Sequence, residues 1–230
     1  MQHIEFYGDE RQVASCVYCG AATESGDHVP SRVFLDEPYP AHLPRVPACE
    51  KCNNGFSLDG EYLACVVECT VCGSTKPEDM ARDKIRRALT RSPALAARLE
   101  QSLHLAANGS VHFAPERNRV RNVVLKLARG HALFELNEPR RDEPSSLDFQ
   151  PITITYPQTR TAFDGGAGPV RAIWPEVGSR AMLRILQGHA SSSGWIELQP
   201  GRYRYCASAG AGITVRFVIH EYLACEVRWD

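Results

Sequence analysis

The sequence predicts an α+β chain with a cysteine-rich N-terminal unit, a helical middle and a β-rich C-terminal third. Three observations predict it. Two Cys-x-x-Cys pairs, Cys16/Cys19 and Cys49/Cys52, enclose a stretch rich in proline and turn formers, which suits a hairpin with little core of its own. Apolar residues in the middle recur at helical spacing, and those near the C-terminus alternate as they do in half-buried strands. The composition shifts divide the chain at 1–75, 76–141 and 142–230.

Each element follows from local chemistry. A helix is expected after Cys52, interrupted near Gly55 and Gly60 and running to about Cys72, with Ser57 as an N-cap and Asp59 and Glu61 in the next turn. Pro77-Glu78-Asp79 opens a helix reaching about Leu89, and Pro93 opens another that ends before Asn108-Gly109. Val120, Val123, Val124, Leu127 and Ala128 share one face of a third, whose other side carries Arg117, Arg119, Arg121 and Arg129. Asn137 to Ser146 reads as a linker. Strands are expected at Ile152 to Tyr156, Gly194 to Gln199, Tyr203 to Ala207, Ile213 to Ile219 and Tyr222 to Trp229, with a short helix near Ser179 to Leu186. In Arg202-Tyr203-Arg204-Tyr205 the arginines take one strand face and the tyrosines the other, and Trp174, Trp195 and Trp229 read as core anchors.

Composition narrows the function. Hydrophobic residues at 43% and charged residues at 23% are ordinary for a globular protein, and no run approaches a membrane span of roughly 18 apolar residues. The polar opening MQHIEFYGDE carries no secretion signal, so a cytoplasmic location and reduced cysteines are expected. The net charge of −1 is uneven: residues 1–80 hold 5 basic against 13 acidic side chains, and residues 81–141 hold 13 against 5. Either the basic segment neutralises phosphates, or the two segments attract each other.

The two Cys-x-x-Cys pairs are the strongest signal. Each pair can turn around one ion, and together they complete a tetrahedral Cys₄ zinc site. Such a site is closed, so it is structural. Cys65, Cys69 and Cys72 at i, i+4 and i+7 read first as a buried helical stripe and second as a further metal cluster, and Cys206 and Cys225 lie in strands. His104, His112, His131, His189 and His220 show no ligand spacing.

Between and beside the pairs stand Asp27-His28-Val29-Pro30 and Asn53-Asn54. The order CVYC, DHVPSRVF, CEKCNNGFSLDGEY resembles the HNH nuclease superfamily, the ββα-metal or treble-clef nucleases, over about residues 14–63. The resemblance implies an N-terminal zinc-stabilised ββα-metal unit. It implies that Asp27 and Asn53 hold a catalytic Mg²⁺ or Mn²⁺ and that His28 is the general base. Carboxylate and amide oxygens suit hard cations, and a neutral imidazole is a competent base near pH 7. One departure is plain. The superfamily's central Asn has no counterpart between His28 and Cys49, where His42 and Arg45 are the nearest polar residues.

The expected function is thus a metal-dependent endonuclease acting on DNA, with the basic segment 81–141 on the backbone. A non-catalytic zinc-binding module for nucleic acid or protein is the second expectation, and a cysteine-based redox protein the third.

Overall fold

The computed structural model describes residues 13–41, 43–105, 111–152, 157–165, 179–186 and 194–230. The expectations on Trp174, His42, His189 and residues 153–156 lie outside them. Helices and strands are mixed, as an α+β chain requires, and among the described residues no helix is long and apolar enough to cross a membrane. The chain divides into two compact units, one of residues 1–55 with 124–230 and one of residues 56–123. These cuts differ from the composition shifts because they follow spatial contact rather than charge.

The first unit begins with a turn around Cys16 to Cys19 and a short hairpin. Strand β1 (Ser25–His28) pairs antiparallel with β2 (Arg45–Ala48), with Asp27 opposite Val46 and His28 opposite Arg45. Helix α1 (Glu50–Gly55) follows directly. Buried Val29, Phe34, Leu35 and Leu43 anchor the connection between the strands.

The second unit starts with α2 (Ser57–Cys72). Phe56, not Ser57, occupies its N-cap position, and Gly60 does not interrupt it: the Gly60 N–H donates to the Phe56 carbonyl at 2.9 Å inside a continuous helix. Cys65 and Cys69 are fully buried, while Cys72 is half-buried, as expected of a packing stripe. The helix expected from Pro77 is split into a 3₁₀ turn, Pro77–Asp79, and α3 (Asp83–Arg91). The cause is tertiary. Buried Glu68 accepts the Arg82 backbone N–H at 3.1 Å and holds that residue extended. Helix α4 (Pro93–Ser102) is capped by Ser92 and leads into a hairpin that the alternation did not reveal, β3 (Leu103–Leu105) with β4 (Val111–Phe113).

Helix α5 (Arg117–Leu136) contributes its start to the second unit and its larger part to the first. Its apolar face is buried as the spacing predicts. Several basic side chains of the second unit are paired with acids. Arg119 pairs with Asp59 at 2.6 Å, Arg91 with Glu61 at 2.6 Å and Arg86 with Asp83 at 2.6 Å. Arg119–Asp59 and Arg91–Glu61 join the basic segment to the acidic one.

Beyond α5 the first unit continues with β5 (Ser146–Pro151), α6 (Pro157–Asp164), α7 (Arg180–Leu186), β6 (Ile196–Gln199), β7 (Tyr203–Ala209), β8 (Ile213–Ile219) and β9 (Leu223–Trp229). The strands form an antiparallel sheet in the order β5-β9-β8-β7-β6. The sheet's first described strand is 146–151, where Leu147, Phe149 and Pro151 continue the alternation set by Val227, Cys225 and Leu223 opposite them. Helix α6 was not expected from the sequence.

One face of this sheet is apolar and receives the second half of α5. Tyr203, Tyr205, Phe217 and Val215 are at most 1% exposed. His131 of α5 lies flat on Tyr205, ring centroids 3.8 Å apart, and its Nε2 is 2.8 Å from the Tyr203 hydroxyl. The Tyr205 hydroxyl donates to Glu135 at 2.5 Å. The opposite face carries Arg204, Arg216 and Arg228 paired with Glu221, Glu226 and Asp164. On the same helix, Gly130 lets Val29 approach: a Cβ there would meet the Val29 Cγ2 at 2.5 Å. The hairpin of β1 and β2 is thereby docked on α5.

Burial lowers the pKa of His131 to about 3, so the folded state refuses a proton that the unfolded chain accepts near 6.5. Stability from this group is complete above about pH 6.5 and is lost as pH falls toward 3, by up to ~1.4 kcal/mol per unit. Urea unfolding of wild type and His131→Gln between pH 4 and 6 is expected to show a stability difference that changes at this slope. Parallel curves would show that His131 is not held neutral.

Candidate functional site

The cysteine pairs converge. The Sγ atoms of Cys16, Cys19, Cys49 and Cys52 all lie within 4.8 Å of one another, and those of Cys19 and Cys49 are 3.7 Å apart. A tetrahedron of thiolates at the Zn–S distance of about 2.3 Å has edges of roughly 3.8 Å. The quartet therefore fits one zinc ion with all four positions filled by protein. Among the described residues it is the cluster of three or more His, Cys, Asp or Glu side chains whose ligand atoms meet.

Local backbone explains why the site forms. Each knuckle turns sharply enough for main-chain N–H groups to point at sulfur: the Cys52 N–H donates to the Cys49 Sγ at 3.4 Å. Burial works against ionisation of Cys16, but N–H groups of Cys49, Cys19 and Tyr18 outweigh it and bring the thiol from 9.0 to about 7. Arg141 braces the first knuckle from outside, donating to the Cys16 carbonyl at 3.3 Å and the Ser15 hydroxyl at 2.8 Å.

The hairpin presents two faces. Successive residues of a strand alternate, so Ser25 and Asp27 share one face while Gly26 and His28 share the other. Asn53 belongs to the first face. Its Nδ2 donates to the Ser25 Oγ at 3.1 Å, which turns the amide oxygen away from that bond. His28 sits at the end of β1, half-buried, beside its cross-strand neighbour Arg45.

Asp27 is 6% exposed and engaged in a network the sequence did not reveal. Its Oδ2 accepts from the Tyr18 hydroxyl at 2.8 Å and lies 2.8 Å from the Lys126 ammonium. Lys126, 4% exposed, also donates to the Ser31 hydroxyl at 2.7 Å. Lys126 stands on α5 among buried valines and leucines, and no local pattern marks it as a partner of the hairpin. Oδ1 of Asp27 takes no donor among the described residues.

Two outcomes follow from this geometry. Extraction of the metal with a thiol-reactive mercurial and a chelator is expected to release one zinc per chain. Hydrogen exchange should then show lost protection in residues 16–55 while β7 to β9 keep theirs. Retained protection of the hairpin would mean that the thiolates do not hold it. Lys126→Ala leaves a buried carboxylate uncompensated and is expected to lower stability by about 3 kcal/mol in urea unfolding. An unchanged midpoint would contradict the buried pair.

No protein-family profile, curated protein or solved structure matches the chain, so what this site does is read from its own residues.

Proposed function

We propose that the chain is an HNH-type endonuclease that hydrolyses phosphodiester bonds in DNA, built on a treble-clef-like zinc unit of residues 14–63. The observation that carries this reading is the bond from Asn53 to Ser25, which brings the helix amide to the Asp27 face of β1. The order of knuckle, hairpin strand with Asp27-His28, second knuckle and helix supports it.

The zinc ion is structural in this reading, because four thiolates close its coordination. Asp27 and Asn53 would hold the catalytic Mg²⁺ or Mn²⁺, whose charge lowers the energy of the crowded phosphate oxygens. The remaining chemistry belongs to side chains. His28 takes the proton of the attacking water at an imidazole nitrogen. The water oxygen forms a bond to phosphorus, the bond from phosphorus to the leaving sugar oxygen breaks, and that oxygen takes a proton from solvent. Lys126 holds the Asp27 carboxylate in one orientation throughout. Zn²⁺ and Mg²⁺ or Mn²⁺ thus have separate tasks.

One observation favours a second reading, a zinc-binding module that binds DNA without cutting it. The ammonium 2.8 Å from Asp27 satisfies the carboxylate's charge internally and disfavours a further cation beside it.

The two readings separate in one assay. Purified protein with Mg²⁺ or Mn²⁺ is expected to nick supercoiled plasmid, and His28→Ala to slow nicking by roughly 10²- to 10⁴-fold while retaining bound zinc. Equal nicking by His28→Ala rejects His28 as the base. Salt-sensitive DNA binding by wild type with no nicking under either metal establishes the non-catalytic reading.

A further inference from the structure

The hairpin face that carries His28 holds one more group whose chemistry the proposed reaction has not used. Arg45 is the direct cross-strand partner of His28, so the two side chains leave the sheet on the same side. The Arg45 side chain does not extend away into solvent. It lies back across Gly26, so closely that a Cβ on Gly26 would overlap the guanidinium, with Nη2 at 2.7 Å and the central carbon at 2.5 Å. Gly26 has no left-handed φ that would demand glycine, so the missing side chain serves the close approach.

Several arginines of the described structure have an acid beside them. Arg204 has Glu221 and Asp164, Arg216 and Arg228 share Glu226, Arg119 has Asp59, and Arg202 has Asp36 at 2.5 Å. Arg45 has no carboxylate and no hydrogen-bonded acceptor among the described residues, and it is exposed. A guanidinium laid on a glycine has lost rotamer freedom yet keeps its five donors for a ligand. Its neighbours on this face, His28, Gly26 and Pro47, bring no negative charge.

We propose that Arg45, seated on Gly26, is the anion-binding group of this face and grips a non-bridging oxygen of the phosphodiester presented to His28. The proposal rests on the nuclease reading for its ligand. A planar fork matches two phosphate oxygens, which makes Arg45 a catalytic residue as well as a binding one: charge accumulates on those oxygens as water attacks. It also accounts for a polar residue in the segment where the superfamily's central Asn is missing, with a role in holding substrate rather than in bracing the loop.

The test uses the full chain loaded with zinc, a fluorescent DNA duplex and supercoiled plasmid. Three variants are compared with wild type: Arg45→Ala, Gly26→Ala, and Arg228→Ala on the outer face of the large sheet. Gly26→Ala retains the charge but pushes a flexible guanidinium off its seat, leaving the fold intact. For Arg45→Ala, duplex affinity measured against salt should show a slope shallower by about 0.9, the loss of one phosphate contact. Nicking should slow by roughly 100-fold through kcat, with one zinc per chain retained. Gly26→Ala should lose most of the same rate, and Arg228→Ala should match wild type in both measurements.

An Arg45→Ala protein with the wild-type salt slope overturns the proposal, whether or not wild type cuts DNA, and so does a wild type that binds no duplex. A shallower slope for Arg45→Ala in a protein whose wild type never nicks supports the anion site and rejects the nuclease reading. Wild-type nicking that Arg45→Ala leaves unchanged does the reverse.

Discussion

Four thiolates meeting at one point are the constraint on which the functional region depends. A hairpin of two four-residue strands with a long connection is too small to be stable alone. Joining the Cys16 turn to the first turn of α1 through one ion closes that region and sets the position of α1 against β1. Asn53 follows the last of the four cysteines, so wherever the quartet closes, its amide is delivered to β1. The bond to Ser25 is the visible result. The ion does no chemistry in this account; it decides where the chemistry stands.

The hairpin's two faces then divide the work. The face of Ser25 and Asp27 turns toward Lys126, Tyr18 and Asn53, and Lys126 meets the carboxylate's charge from within the fold. The face of Gly26 and His28 carries an imidazole and an exposed guanidinium. Helix α5 links the two parts of the first unit. Gly130 receives Val29, Lys126 reaches Asp27, and His131 and Glu135 engage Tyr203 and Tyr205 of the sheet. One helix thus seats the hairpin with one stretch and the sheet with another. The buried Lys126–Asp27 pair is poor evidence for stability gained, since desolvation offsets much of its attraction, but it fixes the carboxylate's orientation.

What was legible in the sequence is what local chemistry controls. The paired cysteines, the alternation of Ile213 to Ile219 and the apolar stripe from Val120 to Ala128 all express a short repeat, and each became the expected element. The errors have a common cause in distant contacts. Glu68 captures the Arg82 backbone and splits a helix that Pro77 was expected to carry through. The Lys126 partner of Asp27 is not visible in the sequence, because it is remote along the chain and flanked by core residues. The seat of Arg45 on Gly26 depends on strand register, which pairing fixes and composition does not reveal. The net charge of the basic middle suggested a phosphate-binding surface, yet several of its arginines are matched to acids beside them.

X-ray absorption at the zinc edge, on protein purified without added metal, tests the central claim most directly. The account predicts one zinc per chain with four sulfur neighbours at about 2.3 Å and no lighter ligand in the inner sphere. A spectrum requiring nitrogen or oxygen ligands, or fewer than four sulfurs, would contradict it, because the thiolates would not then meet and nothing would deliver Asn53 to the Asp27 face.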